Sequence, residues 1–259
     1  MRIPICENWF CVLLKQFKPY FMQKKSFTRT ISFLALIMFS LSFKVSLAQS
    51  DVIAIDILLN PDQTMLDSAK AYNSFMRTNY SGPGSFSLDA VHTPHISVLQ
   101  CFIENANLNK VIDAVDKVVK SEQPSKETLT TKGFYFIPDK TLGLAGITIN
   151  TTPKLLTYQS RIIEAVKPYI VTGTDAAFVQ NSNGRPIAKG VSEYVNGFIP
   201  DHSGPKYLPH VTIGLAKETY LKELMAKPYK SFTFKISSAS IYHLGDYGTA
   251  QKKLWTSSK

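Results

Sequence analysis

Apolar and polar positions repeat with two different periods along this chain, and the switches between them mark out its elements. Val52 to Leu59 is a short apolar run rich in β-branched residues, which predicts a buried strand. Asn60-Pro61 then offers an N-cap and a proline at the first helical position. The helix that follows buries Met65, Ala69, Tyr72 and Met76 on one face, with Leu66 and Phe75 beside them. Ser81 to Ser85 is a Gly/Pro loop. A strand over 94–103 leads into the cleanest helical period in the chain, carried by Leu108, Val111, Ile112, Val115, Val118 and Val119. Two strands, near 128–137 and 142–149, are joined through Pro138-Asp139-Lys140. Thr152-Pro153 opens a helix with Leu155, Leu156, Ile162, Ile163 and Val166 inside.

Residues 169–207 are rich in Gly, Pro, Asn and Ser and give no clear period. A connection this long is either a lid or binding loop, or an irregular edge with a weak strand near Phe178. After it come a strand at 209–215, a helix around Tyr220 to Met225, and strands near 231–243 and 250–256. The order then falls into two similar halves: strand, helix, Pro-His strand, helix, strand, repeated from 142 with the long segment inserted. Such a duplication predicts two α+β lobes about a pseudo-twofold axis, helices on one face of each sheet and a cleft on the other.

The first 48 residues read as a leader. Lys24, Lys25 and Arg29 precede an apolar run from Ile31 to Phe43, and Ser46-Leu47-Ala48 offers the small residues signal peptidase accepts, so cleavage is expected between Ala48 and Gln49. The run is short for a bilayer span, which needs roughly 20 residues. Met22 gives a leader of more regular form than Met1. The expectation is an exported protein, periplasmic or secreted, with 49–259 as one domain and no stable membrane insertion after cleavage.

Removing the leader changes the charge. It carries seven of the 29 basic residues and one of the 19 acidic ones, so the whole-chain net of +10 falls to +4. That is too mild for wrapping long nucleic acid and suits a small anionic ligand. Cys6 and Cys11 leave too, and the remaining Cys101, in an apolar stretch, reads as a buried strand residue. Neither a disulfide nor a zinc cluster is expected.

Two segments then match almost residue for residue: Pro94-His95-Ile96-Ser97-Val98 and Pro209-His210-Val211-Thr212-Ile213. Side chains alternate across a strand, so His95 and Ser97 share one face, and His210 and Thr212 share one, while Val211, Ile213 and Leu215 take the other. An imidazole and a hydroxyl are thus presented twice, away from the helices. This repeated His-hydrophobic-Ser/Thr-hydrophobic pattern, with proline before each histidine, resembles the signature of the 2H phosphoesterase superfamily, which includes the LigT-like 2′-5′ RNA ligases and cyclic phosphodiesterases. The resemblance covers most of 52–257.

It implies a bilobal α+β fold in which His95 and His210 flank a scissile phosphate while Ser97 and Thr212 hydrogen-bond its oxygens. The implied substrate is a small nucleotide or oligonucleotide phosphodiester such as a 2′,3′-cyclic phosphate, with no cofactor or metal and a monomeric chain. Chemistry agrees. Hydrolysis needs one proton removed from water and one delivered to the departing oxygen, and two imidazoles near pKa 6.5 can hold those opposite states.

The other candidates are ambiguous. Lys206 and Tyr207 stand just before the second motif and are placed to reach a phosphate or stack a base. Tyr135, between Phe134 and Phe136, is either part of a stacking platform or simple core. His243 either borders the cleft or packs in the core; His92 and His202 read as loop residues. Rival readings are a phosphate-binding module without turnover, ligase-like joining of RNA ends, and a histidine-ligated metalloprotein, the last lacking carboxylate or Cys companions at ligand spacing.

Overall fold

The computed structural model describes residues 51–89 and 92–258, all within the compact unit 49–259; the expected leader and its cleavage point lie outside them. The strands are β1 (Val52–Pro61), β2 (Ile96–Glu104), β3 (Thr128–Asp139), β4 (Leu142–Ile149), β5 (Ile170–Val171), β6 (His210–Lys217), β7 (Thr233–Leu244) and β8 (Ala250–Thr256). The helices are α1 (Gln63–Asn79), α2 (Leu108–Glu122), α3 (Pro153–Val166), α4 (Val191–Asn196), α5 (Phe198–His202) and α6 (Glu218–Ala226). The fold is α+β, as expected. Every strand pairing is antiparallel.

The path through the sheet is β5-β2-β1-β7-β3-β4-β6, with β8 on β7. The paired register at the junction between β7 and β3 is short, Thr128–Thr130 against Thr233–Lys235, and is continued by Thr131 N donating to Phe232 O at 3.0 Å. On one side of it lies the lobe built on β2-β1-β7; on the other lies β3-β4-β6. The lobes are not the sequence halves. Each half exchanges its third strand: β3, from the first half, pairs with β4, while β7, from the second, pairs with β1. The first helix of each half crosses too, so α1 packs on β6 and α3 on β2. Exchange of this kind is invisible to periodicity, because an apolar face does not say which sheet it will cover.

Two local expectations change. The cap of α1 is Asp62, whose carboxylate accepts from the Met65 amide, while Asn60 and Pro61 finish β1. Pro61 has no amide to give a ladder and sits at a strand end, just past a bulge against β7. On α1 the third inward residue is Asn73, buried with Met65, Ala69 and Met76, while Tyr72 is only half-buried. Thr152 and Pro153 cap and start α3 as expected, the Thr152 hydroxyl accepting from Leu155 N at 3.1 Å.

Asn73 has a specific task. β6 bulges against β4 at Ile213, where the register passes from Gly146↔Thr212 to Ala145↔Gly214. β2 bulges at the equivalent Val98, between Leu58↔Ser97 and Ile57↔Leu99. A bulge leaves a strand carbonyl outside the ladder, and a buried unpaired carbonyl is costly. Both are met by a buried amide from the exchanged helix: Asn73 Nδ2 donates to Ile213 O at 2.9 Å, and Gln159 Nε2 donates to Val98 O at 3.1 Å. The duplication is therefore preserved down to a bulge and its capping amide.

Candidate active site

In a flat sheet β2 and β6 would stand five strands apart, roughly 24 Å at the usual spacing. Here they meet, because the sheet folds at the short β7–β3 junction. Tyr207, at the entrance to β6, donates its hydroxyl to Ser97 O on β2 at 2.9 Å. The two motifs thus face one another across a shared cleft.

Each histidine is held in the same way. His95 Nδ1 lies 2.7 Å from Thr93 O, and His210 Nδ1 lies 2.8 Å from Leu208 O. A carbonyl can only accept, so both rings carry their proton on Nδ1 and turn Nε2 to the cleft. The intervening Pro94 and Pro209 are buried and fix the backbone that aims those carbonyls. Proline before each histidine therefore selects a tautomer.

The bulges set the rest of the cleft face. Past the extra residue, alternation slips by one, so the side chain sharing a face with Ser97 is Gln100, three positions on rather than two. On β6 the same slip carries Leu215 to the Thr212 face, where unbroken alternation had placed it with Val211 and Ile213. Its register partner is Leu144, and that of Thr212 is Gly146.

Around His95 the site holds a carboxylate outside the set expected from sequence. Asp56, in the middle of β1, is fully buried. Its Oδ2 accepts from Ser97 Oγ at 2.6 Å and from Gln100 Nε2 at 3.0 Å, and stands 3.5 Å from His95 Nε2. The last is an ion-pair rather than a hydrogen-bond distance, and the His95 side chain keeps 20% of its exposure. One charged residue inside an otherwise apolar strand was the available signal, since a buried carboxylate needs partners.

The two imidazoles titrate apart. Burial pulls His95 down, but the adjacent Asp56 carboxylate and the Thr93 carbonyl outweigh that, and its pKa is raised. His210 is lowered, first by burial and then by the nearby charge of His95, against the opposing pull of the Leu208 carbonyl and Asp56. Histidines with diverging pKa values in one cleft are suited to opposite proton-transfer roles.

Tyr135 reaches the cleft, its ring edge-on to His210 with centroids 4.8 Å apart. It lies opposite Gly146 on β4, where a Cβ would stand 2.4 Å from the Tyr135 ring, so only glycine lets that ring lie over the strand. The 169–207 segment is a packed wall. Ala177, Phe178, Ile187 and Val195 cover Ala54, Phe102 and Leu244 at one end of the cleft face. From it Tyr194 lies over His202 with centroids 4.4 Å apart, and burial and the charge of Asp56 push the Tyr194 hydroxyl up to about 12. His202, expected in a loop, thus ends α5 beside the site, its pKa lowered chiefly by burial.

The remaining candidates are engaged elsewhere. Tyr207 is buried and its hydroxyl is given to Ser97 O, so it joins the lobes rather than forming a rim. Lys206 is exposed and turns to Pro200 O at 2.9 Å and to Asp201. His243 is buried with Nε2 on Ala177 O at 2.8 Å, and His92 stacks on Phe86. Cys101 is buried and free, as expected. Among the described residues no group of three or more His, Cys, Asp or Glu could hold a metal ion.

No protein-family model matches the chain, and no curated protein matches its sequence. Among solved structures it is similar to TT0787 of Thermus thermophilus, at 9% identity and TM-score 0.46, covering 79% of this chain and 96% of that one. It is also similar to E. coli LigT complexed with 3′-AMP, at 8% identity and TM-score 0.42, covering 81% and 100%. A third is Kluyveromyces marxianus Usb1 with uridine monophosphate, at 11% identity and TM-score 0.35, covering 77% and 97%.

Proposed function

We propose that the chain is a 2H-type phosphodiesterase that opens a small phosphodiester, a 2′,3′-cyclic nucleotide or an RNA end bearing one, by two-histidine general acid–base catalysis without a metal. The observation that carries this reading is the matched pair of imidazoles, each fixed by its Nδ1 and offering Nε2 to one cleft. One Nε2 takes a proton from water as the water oxygen bonds to phosphorus. The bond to one ribose oxygen breaks, and the other Nε2 supplies the proton that leaves this oxygen as a hydroxyl. The product is a phosphomonoester, and the two histidines re-equilibrate with solvent.

Hydroxyl donors aimed at the phosphate oxygens add stabilisation as charge gathers there. Thr212 Oγ1 makes no hydrogen bond among the described residues and is free for this task, whereas Ser97 gives its proton to Asp56. Tyr135 and Tyr194 offer aromatic faces beside the histidines, which suits a nucleotide base. The test is a panel of 2′,3′-cyclic mononucleotides with EDTA present and product identification. Release of a nucleoside monophosphate, abolished in His95→Ala and His210→Ala, is expected. Turnover that survives both substitutions, or that requires added zinc or manganese, overturns the reading.

A further inference from the structure

The two half-sites superpose in their chemistry at three levels and differ at a fourth. His95 and His210, Ser97 and Thr212, and the bulges at Val98 and Ile213 correspond. Two residues back along β1 from the partner of Ser97, and three on along β2, stand Asp56 and Gln100, which are register partners. The same steps in the other lobe lead from Gly146 to Leu144 and from Thr212 to Leu215, again register partners. A carboxylate and an amide on one side thus occupy the places of two leucines on the other. This is where the twofold equivalence ends.

We propose that Asp56 is a positioning residue which, through Ser97 and His95, reserves His95 for proton donation and leaves His210 to remove the proton from water. The proposal rests on the reading of the site as a two-histidine phosphodiesterase and assigns the roles within it. A buried carboxylate is costly unless compensated. Among the described residues the basic group paired with Asp56 is His95, while Oδ1 has no hydrogen-bond partner there. An imidazolium at His95 is the natural compensation, and that is the state a proton donor must start from. The donor hydrogen bonds from Ser97 and Gln100 to Oδ2 fix the carboxylate without neutralising it. The leucines opposite provide no such charge, so His210 starts neutral, the state a base requires.

Other groups facing the pair do not reverse this. Tyr194 from α4, Tyr207 before β6 and Cys101 on β2 all feel the Asp56 charge and are held above their ordinary pKa values by burial first. Tyr242 on β7, the register partner of Asp56, lies under Lys253 at 5.7 Å. His202 acts on His210 and lowers it further.

The experiment is an NMR titration of both imidazoles, beside a pH–rate profile, in the wild type, Asp56→Asn and Leu144→Asp. In Asp56→Asn the His95 midpoint is expected to fall by a unit or more, and the basic limb of the rate profile to move down with it. At a pH above that limb the rate then drops about tenfold per unit, while KM changes little. Leu144→Asp, at a half-buried position, places a carboxylate in the equivalent spot and is expected to raise the His210 midpoint, which keeps the test open if Asp56→Asn fails to fold. An unmoved His95 midpoint in a folded Asp56→Asn protein, or an unmoved His210 midpoint in Leu144→Asp, overturns the proposal. A wild type inert on every phosphodiester sinks the functional reading instead, and the NMR titrations still decide whether Asp56 sets the two midpoints apart.

Discussion

Ser97 donates its hydroxyl to Asp56 Oδ2 at 2.6 Å, whereas Thr212, its counterpart in the other motif, has two leucines and a glycine for neighbours on its face. The motif hydroxyls are equivalent in sequence and unequal in the fold. Ser97→Ala and Thr212→Ala are therefore expected to differ. Thr212→Ala removes a free donor and should lower kcat by about 10- to 100-fold, below the loss of roughly 10²–10³ for a full oxyanion donor. Ser97→Ala should cost less in rate while altering its pH dependence, because it leaves Asp56 with one partner fewer. Parallel kinetics of the two variants check this; equal losses with unchanged profiles count against it.

The pH–rate profile follows from the directions of the two shifts. Turnover needs one imidazole protonated and the other neutral. His210 is lowered from 6.5, so it becomes available as a base already below that pH; His95 is raised, so it keeps its proton above it. The acid limb should belong mainly to His210 and the basic limb to His95, with a broad top between them around neutrality. The two apparent values are properties of the interacting pair. A narrow bell, the mark of two coincident pKa values, counts against this division.

Replacing either histidine by alanine should cost roughly 10²–10⁴ in rate, the usual scale for a general acid or base. The double replacement should cost far less than the product of the single losses, since groups that act as a unit are not additive. Steady-state rates of the three variants on one cyclic nucleotide decide it. Circular dichroism should remain unchanged, because both rings point to the cleft.

Asn73→Ala and Gln159→Ala test the bulges. Each orphans a buried strand carbonyl, at a cost on the order of 1–3 kcal/mol; Asn73 also donates to Phe86 O and accepts from Leu88 N, and Gln159 likewise donates to His202 O and accepts from Gly204 N, so the two losses should be similar. Gly214→Ala should destabilise as well. Its φ is +139°, and a Cβ there would stand 2.9 Å from Asn73 Nδ2. Denaturant melts give the comparison, and wild-type midpoints in all three would remove the capping role assigned to these amides.

Export is checked by intact mass. Protein from the cell envelope or medium should begin at Gln49, following Ser46-Leu47-Ala48. A membrane-bound species that retains Ile31 to Phe43 would replace the secreted form with an anchored one.

Strands, helices and the histidine pair were legible in the sequence because each depends on local pattern: period, caps, and a tetrapeptide written twice. The alternation of His95 with Ser97 follows from the strand itself. What lies beyond residues 97 and 212 was not legible, because a bulge shifts alternation without changing composition, and so Gln100 and Leu215 turned up on the cleft face. Asp56 stood in plain view in β1, but nothing local says what a buried carboxylate will meet. Its partner Ser97 is 41 residues away and reaches it through the register of β1 on β2. The exchange of β3 with β7 and of α1 with α3, and the fold at the short β7–β3 junction that brings His95 and His210 together, are choices among sheets with similar apolar faces. Such choices are made by long-range packing, and only the tertiary structure records them.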